Sequence, residues 1–438
     1  MPPENLRIAY LAYRGNPHSG GQGVYTRHLT RELVALGHDV TVFGGQPWPI
    51  LDPGVDWVPV PSLDLYREPD PFRVPRPREF RSLTDVAEFG LMCTAGFPEP
   101  YTFSLRARKV LRQRLGDFDL VHDNQCLGTG LLGMLADGWP LLATLHHPIT
   151  VDRDLELADN TSAIRQVTLR RWYGFLRMQM RVAGQLPRVV TVSHSSARDI
   201  TAQMGVPADR IRVVAVGVDH TVFRPVPGIE RDPDLIMTTA SSDVPLKGLV
   251  PLLEALAKVR TERAVELVVI GKQRKGSKIP ATLARLGLAG AVRFVTGIDD
   301  TELVELYNRV ALAVVPSLYE GFSLPAIEAM ACGTPLVATT GGALPEVVGD
   351  DGGSGLLVPP GDPEALAHAL LRMLGDDALR ARLGAAGRRR VLERFTWRAT
   401  AEGSVEQYRE LLDMGAAASQ PASRPRARGR RAAVGASA

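Results

Sequence analysis

Short, nearly uninterrupted apolar runs alternate along this chain with longer stretches in which apolar residues return every three or four positions. The first texture fits a strand buried on both faces, the second a helix with one wet side. Residues 6–13, 39–43, 119–122, 140–147, 188–193 and 211–219 read as strands, and so do 235–240, 267–271, 292–297, 311–316, 335–339 and 355–358. Helical periods lie between them. One follows the loop 14–23 and carries Val24, Leu29, Leu33 and Leu36 on its apolar face; others cover 161–185, 249–259, 300–308, 345–348, 363–374 and 376–393, and one more opens near Ser193. Regular alternation of strand and helix predicts parallel sheets, with ligands meeting the carboxyl ends of the strands. Residues 44–104 break the rhythm: they are rich in proline, show no period, and read as irregular loops that suit either ligand-specific segments or a plain surface insertion.

A chain of 438 residues exceeds what one hydrophobic core serves, so two domains are expected. The turn at Gly217 and the proline-rich linker at Phe223, Pro225 and Pro227 place their boundary after residue 220, giving domains 1–220 and 221–395. A last helix follows over 396–414, then a tail over 415–438 that is rich in Ala, Pro, Ser, Gly and Arg and is expected to be disordered. That tail holds Arg424, Arg426, Arg428, Arg430 and Arg431 and no acid; without it 46 basic residues face 48 acidic ones, which argues against a nucleic-acid-binding surface. The tail itself reads as a solubilising extension or a contact for anionic lipid. With no apolar run of membrane-spanning length and no signal-peptide pattern at the start, the expected location is the cytoplasm. Cys93, Cys126 and Cys332 are too few and too scattered for disulfides or a thiolate metal site and read as reduced structural thiols.

Chemistry concentrates in residues 317–335. A buried strand runs into the turn at Glu320-Gly321, and Ser323 with Pro325 marks a helix start. The first amides of that helix lack intrahelical acceptors, so an anionic or hydroxyl-rich ligand can settle against Gly321, Phe322, Ser323 and Leu324. Glu320 on the turn and Glu328 about two helical turns in can grip the two ends of one polar ligand. Three further features join them. Gly20, Gly21 and Gly23 lie between the first strand and its helix, where bare amides can approach a phosphate, although the spacing is neither a dinucleotide fingerprint nor a Walker loop. His146 and His147 end a strand, where a histidine faces a ligand or merely ties down the strand end. Lys247, on a turn and followed by Gly248, offers a point charge for a phosphate. Asp152-Arg153-Asp154 has the look of a metal-binding pair in the wrong architecture and is set aside. The segment 161–185 interleaves Arg165, Arg170, Arg171, Arg177 and Arg181 with Trp172, Tyr173, Phe175, Leu176, Met178 and Met180, which fits a packed helix with wet arginines or one lying on a membrane.

Glu320, seven intervening residues, Glu328, then Ala329-Met330-Ala331-Cys332-Gly333-Thr334-Pro335-Leu336-Val337-Ala338 and Gly341-Gly342 resemble the signature of the retaining glycosyltransferases of family 4. The likeness covers most of 6–413, strongest over 311–349 and weakest over 44–140. It implies an α/β GT-B fold: two Rossmann-like, doubly wound parallel-sheet domains facing across a cleft, with the final helix crossing back to the first. It implies that Gly20, Gly21 and Gly23 lie against a donor phosphate and that Lys247 holds the diphosphate. Glu320 would hold hydroxyls of the transferred sugar, Glu328 the ribose, and His146 would act near the sugar. Retention at the anomeric carbon, with no obligatory metal and no other cofactor, belongs to the same implication. The expected partners are a UDP- or GDP-linked sugar and a hydroxyl acceptor that is a lipid, a small metabolite or a glycan, with peripheral contact at the inner membrane face left open. Two departures stand out. Ser242 occupies the place of an arginine that joins the lysine in the family, with Lys272, Arg274 and Lys275 as substitutes or as solvated surface charges, and Val216 replaces the Asn of an Asn-Gly-Val-Asp pattern. Competing readings are a relative that isomerises or hydrolyses nucleotide sugars and a non-catalytic sugar-nucleotide-binding homologue.

Overall fold

The computed structural model describes residues 3–15, 21–67, 69–159, 162–240, 244–271, 277–350 and 352–419. Its first sheet contains β1 (Arg7–Ala12), β2 (Asp39–Gly44), β3 (Asp56–Pro59), β4 (Leu120–Asn124), β5 (Leu141–Leu145), β6 (Arg188–Thr191) and β7 (Ile211–Val213), in the order β3-β2-β1-β4-β5-β6-β7. The second contains β8 (Asp232–Thr239), β9 (Glu266–Ile270), β10 (Val292–Val295), β11 (Val310–Val315), β12 (Leu336–Thr339) and β13 (Leu356–Val358), in the order β10-β9-β8-β11-β12-β13. Every pairing is parallel. Strand order reverses beside β1 in one sheet and beside β8 in the other, so each domain is doubly wound and has its crevice there. Helices cover both faces, and β4, β5, β11 and β12 are buried throughout; β5, β11 and β12 are accordingly almost wholly apolar without alternation, whereas β4 ends in the polar His122, Asp123 and Asn124.

Several expectations are corrected. The proline-rich stretch is not all loop: β3 adds an edge strand, and helices Leu83–Cys93 and Glu99–Leu111 follow, the first capped by the Ser82 hydroxyl accepting from the Asp85 amide. Arg14, leaving β1, binds Glu99 at 2.5 Å and so ties this region to the loop ahead of the first helix, Gly21–Ala35. The single helix expected over 161–185 is two, Ala163–Trp172 and Leu176–Ala183, joined by a 3₁₀ turn at Gly174. Its aromatic residues turn inward: Trp172 packs on Phe97 with 5.0 Å between ring centres and on Tyr66 at 5.7 Å, while Phe175 also meets Phe97. Ala163–Trp172 buries none of its residues. A helix at Thr150–Asp159 was not expected.

The last helix runs Trp397–Ser419, beyond the expected end at 414, carried on by a run of three alanines, the residue with the highest helix propensity. Residues 415–419 therefore belong to it rather than to a disordered tail, and 420–438 lie outside the described residues. This helix packs on Gly21–Ala35 in the first domain. Thr400 donates to the Ala215 carbonyl at 2.9 Å, Tyr408 meets His122 Nδ1 at 2.7 Å, and Glu410 pairs with Arg188 at 2.8 Å. One hydrophobic core runs from Leu6 and Tyr25 through Trp397 and Tyr408 to Phe322 and Met330, joining the domains behind the cleft. Among the described residues no helix is long and apolar enough to cross a membrane.

Candidate active site

Carboxyl ends of strands from both sheets converge on a cavity of about 310 Å³. From the first domain come Gly21, Gln22, Tyr25, Gln125, His146, His147, Val192 and Val216; from the second come Lys247, Glu320, Gly321, Phe322, Ser323, Leu324 and Pro325; Trp397 closes the back. Of the glycine-rich loop, Gly20 lies outside the described residues. Gly21 is exposed at the start of its helix, with open space where a side chain would stand, whereas Gly23 is buried in the first turn and does not reach the cavity wall.

Lys247 ends a 3₁₀ turn, Pro245–Lys247. The next residue has φ +63°, and a Cβ there would come within 1.9 Å of the Pro316 carbonyl oxygen, so only Gly248 lets this turn lie against the end of β11. That contact delivers Lys247 Nζ to Glu320 Oε1 at 2.8 Å. Ser317 donates to the same oxygen at 2.7 Å. The cation assigned to the diphosphate and the carboxylate assigned to the sugar hydroxyls thus form one cluster, with one Glu320 oxygen held by two donors.

The helix beyond, Leu324–Ala331, begins where the sequence places it, but Ser323 does not cap it. Ser323 has φ +110°, which a non-glycine residue adopts only under strain, and its buried Oγ has no hydrogen-bond partner. A strained residue with an unpaired hydroxyl at a helix start, opening on a cavity, suits a ligand that supplies the missing partner. Phe322 packs edge-on against Phe395 and fixes the turn. Glu328 does not reach the cavity wall; its carboxylate accepts from Tyr307 Oη at 3.2 Å, and burial pushes its pKa up to about 7.

His146 follows β5. Its Nε2 stands 2.8 Å from Asn124 Oδ1, its amide donates to Gln125 Oε1 at 2.8 Å, and Tyr25 meets the ring edge-on at 4.7 Å. Burial lowers its pKa to about 3, with His147 adding to the effect, so the ring is neutral. Asn124 and Gln125, at the carboxyl end of β4, escaped the sequence reading, although a pair of polar residues ending a buried strand is the signal that marked His146 and His147. Ser242, Lys272, Arg274 and Lys275 lie outside the described residues. Asp152 and Asp154 fall on the helix Thr150–Asp159, and Asp154 pairs with Arg153 at 2.7 Å. Among the described residues no three His, Cys, Asp or Glu side chains converge to hold a metal ion.

The two domains touch at the cavity rim. Ser193 caps the helix His194–Met204, accepting from the Ser196 amide at 2.9 Å, and also donates to the Gly321 carbonyl at 2.7 Å. A Cβ on Gly321 would press to 3.1 Å from His147 Cβ and 3.2 Å from the His146 carbonyl, so glycine permits this approach. Glu346 of the second domain accepts from the His194 and Ser195 amides, each at 2.7 Å, and neutralises the positive end of a helix in the first. Tyr319 adds a bond to Asp199 at 2.5 Å.

Residues 223–390 match the sequence model of glycosyl transferases group 1, and residues 19–222 that of glycosyltransferase family 4. An MMP alpha-(1->4)-mannosyltransferase of Mycolicibacterium hassiacum is 52% identical over 408 residues, 93% of this chain and 98% of that protein. A D-inositol 3-phosphate glycosyltransferase of Saccharomonospora viridis is 30% identical, covering 93% of each. Among solved structures, sucrose-phosphate synthase from Thermosynechococcus elongatus aligns with TM-score 0.70 and 26% identity, over 93% of this chain and all of that one. HepE of Anabaena, solved in complex with UDP, aligns with TM-score 0.65 at 18% identity over 92% and 100%, a likeness of fold. With two parallel-sheet domains closed around one cavity, and with relatives alike over nearly their whole length, this chain belongs to the family 4 type of glycosyltransferases of the GT-B superfamily.

Proposed function

We propose that the enzyme moves a sugar from a nucleotide diphosphate to an acceptor hydroxyl with retention, and that the sugar is mannose, joined α-(1→4) to a sugar acceptor. The sugar and the linkage are taken from the 52% identical mannosyltransferase; where the donor bond is α, an α product means retention. The observation that carries the reading is the Lys247–Glu320–Ser317 cluster set opposite Gly21 and beside the uncapped helix start at Ser323.

As the bond from the anomeric carbon to the diphosphate breaks, negative charge grows on the leaving oxygen. Lys247 and the amides at Gly21 and Leu324 meet that charge without reorganising, and a single such donor is typically worth about 3 to 4 kcal/mol of barrier. Glu320 does not serve as a free nucleophile in this reading: Oε1 is held by Lys247 and Ser317, and Oε2 remains to accept from a sugar hydroxyl. The departing phosphate oxygen takes the acceptor's proton. No residue here is asked to form a covalent intermediate.

A thermal-shift screen of nucleoside diphosphates and their mannose and glucose derivatives tests the donor, since a ligand at about a hundred times its Kd adds about 2.7 kcal/mol to the folded state. The expected result is stabilisation by one nucleoside diphosphate and its mannose derivative, followed by an α-linked product with an α-(1→4)-mannobiose acceptor. Turnover that ignores the acceptor would instead support an isomerase or hydrolase.

A further inference from the structure

Behind His146 lies a hydrogen-bond relay whose donors and acceptors can be counted. Thr26 Oγ1 donates its one proton to the Gln22 carbonyl at 2.9 Å, so toward Asn124 it offers only lone pairs. Asn124 faces that oxygen at 3.0 Å and the Gln22 carbonyl at 3.2 Å. Both are acceptors. The nitrogen of the Asn124 amide must therefore point at them, both of its protons are used, and Oδ1 is left facing His146 Nε2 at 2.8 Å. An amide oxygen cannot donate, so Nε2 carries the imidazole proton.

We infer that Asn124 is a positioning residue that selects the tautomer of His146, leaving Nδ1 as a bare acceptor that reads a hydroxyl of the ligand rather than a phosphate oxygen. A phosphate oxygen carries no proton to give, whereas a sugar hydroxyl does; the identity of that hydroxyl-bearing ligand rests on the proposed function. The ring holds only one proton because burial keeps it neutral far below physiological pH. Among the described residues none is placed to hydrogen-bond Nδ1. The titratable groups around the ring are His147 beside it, Tyr25 on the first helix, His122 on β4, and Lys247 and Glu320 across the cavity. The backbone of His146 is held independently by Gln125, so loss of Asn124 frees the ring without releasing the strand end.

Nitrogen-15 NMR of the full-length protein labelled at histidine reads the tautomer directly, with His146→Gln identifying the signal. Wild type is expected to show the proton on Nε2. Asn124→Ala is expected to mix both tautomers and to lower kcat about tenfold or more, with a smaller change in KM for the donor. Asn124→Asp, nearly isosteric, places a carboxylate beside Nε2 and favours the imidazolium, so the acidic limb of its pH–rate profile moves to higher pH and activity returns as pH rises. A proton on Nδ1 in wild type, or an Asn124→Ala protein with an unmixed Nε2 tautomer and unchanged kcat, would overturn the inference. Because the tautomer is read without substrate, the absence of sugar transfer with any donor would strike the proposed function and leave this assignment standing.

Discussion

Lys247 Nζ lies 2.8 Å from Glu320 Oε1, and the two residues come from the ends of neighbouring strands, β8 and β11, 73 positions apart in sequence. In the proposed reaction either alone is incomplete: the lysine would supply charge to the leaving group, and the carboxylate would set where that charge sits. Lys247→Ala and Glu320→Ala are each expected to lower kcat about a hundredfold or more while the protein stays folded. The double variant should lose much less than the product of the two, a coupling of about 0.5 to 3 kcal/mol in a double-mutant cycle. Strictly multiplicative losses in steady-state kinetics would show that the pair does not act as one unit.

Glu346 holds the domains together by capping a helix that is not its own. Removing such a cap typically costs about 0.5 to 2 kcal/mol, here taken from the closed arrangement. Glu346→Ala is therefore expected to raise KM for the donor severalfold and to enlarge the radius of gyration in small-angle X-ray scattering without donor. Unaltered scattering and KM would mean the Ser193 and Ser196 bonds to Gly321 suffice for closure.

Strain at Ser323 separates stability from function. Glycine adopts positive φ without penalty, and the unpaired Oγ disappears with it, so Ser323→Gly is expected to stabilise the ligand-free protein by about 1 kcal/mol in urea denaturation. The same change should weaken donor binding, measured by calorimetry. A destabilised variant would show that the hydroxyl serves the fold.

Burial pushes the Glu328 carboxyl up to about 7, against an ordinary value of 4.5, although the Tyr307 hydroxyl opposes the shift. The folded state thus holds this proton more tightly than the unfolded chain. Its stabilising contribution is complete below about pH 4.5 and is lost as pH rises through about 7. Glu328→Gln removes the titration, so the Tm of wild type should fall relative to that of the variant between about pH 5 and pH 8. Parallel Tm profiles would contradict the assignment.

Much of this was legible without coordinates, for physical reasons. A strand buried on both faces is mostly apolar, so β1, β5, β11 and β12 announce themselves, and strand–helix alternation admits few arrangements other than doubly wound parallel sheets. Glycine at 248 and 321, proline at 325 and glutamates at 320 and 328 mark turns, a helix start and charge at a strand's carboxyl end. The helices after residue 82 are hidden because prolines interrupt the period around them, and the sequence over 161–185 reads as one helix because Gly174 is a weak breaker that the packing of Trp172 and Phe175 on Phe97 converts into a turn.

Spacing along a chain sets which residues share a face, so it could place Lys247 and Glu320 at the cleft but not bring them within hydrogen-bonding distance of each other. That required the turn before Gly248 to seat on the end of β11. Nor could it show that Glu328 turns to Tyr307 or that Asn124 meets His146 across two strands, because each depends on side chains arriving from separate elements, nor that Ser323 is strained instead of capping, which is a backbone conformation of the folded turn. Local sequence determined the elements and their order; the docking of two sheets and one returning helix decided which of the polar groups at their ends meet one another.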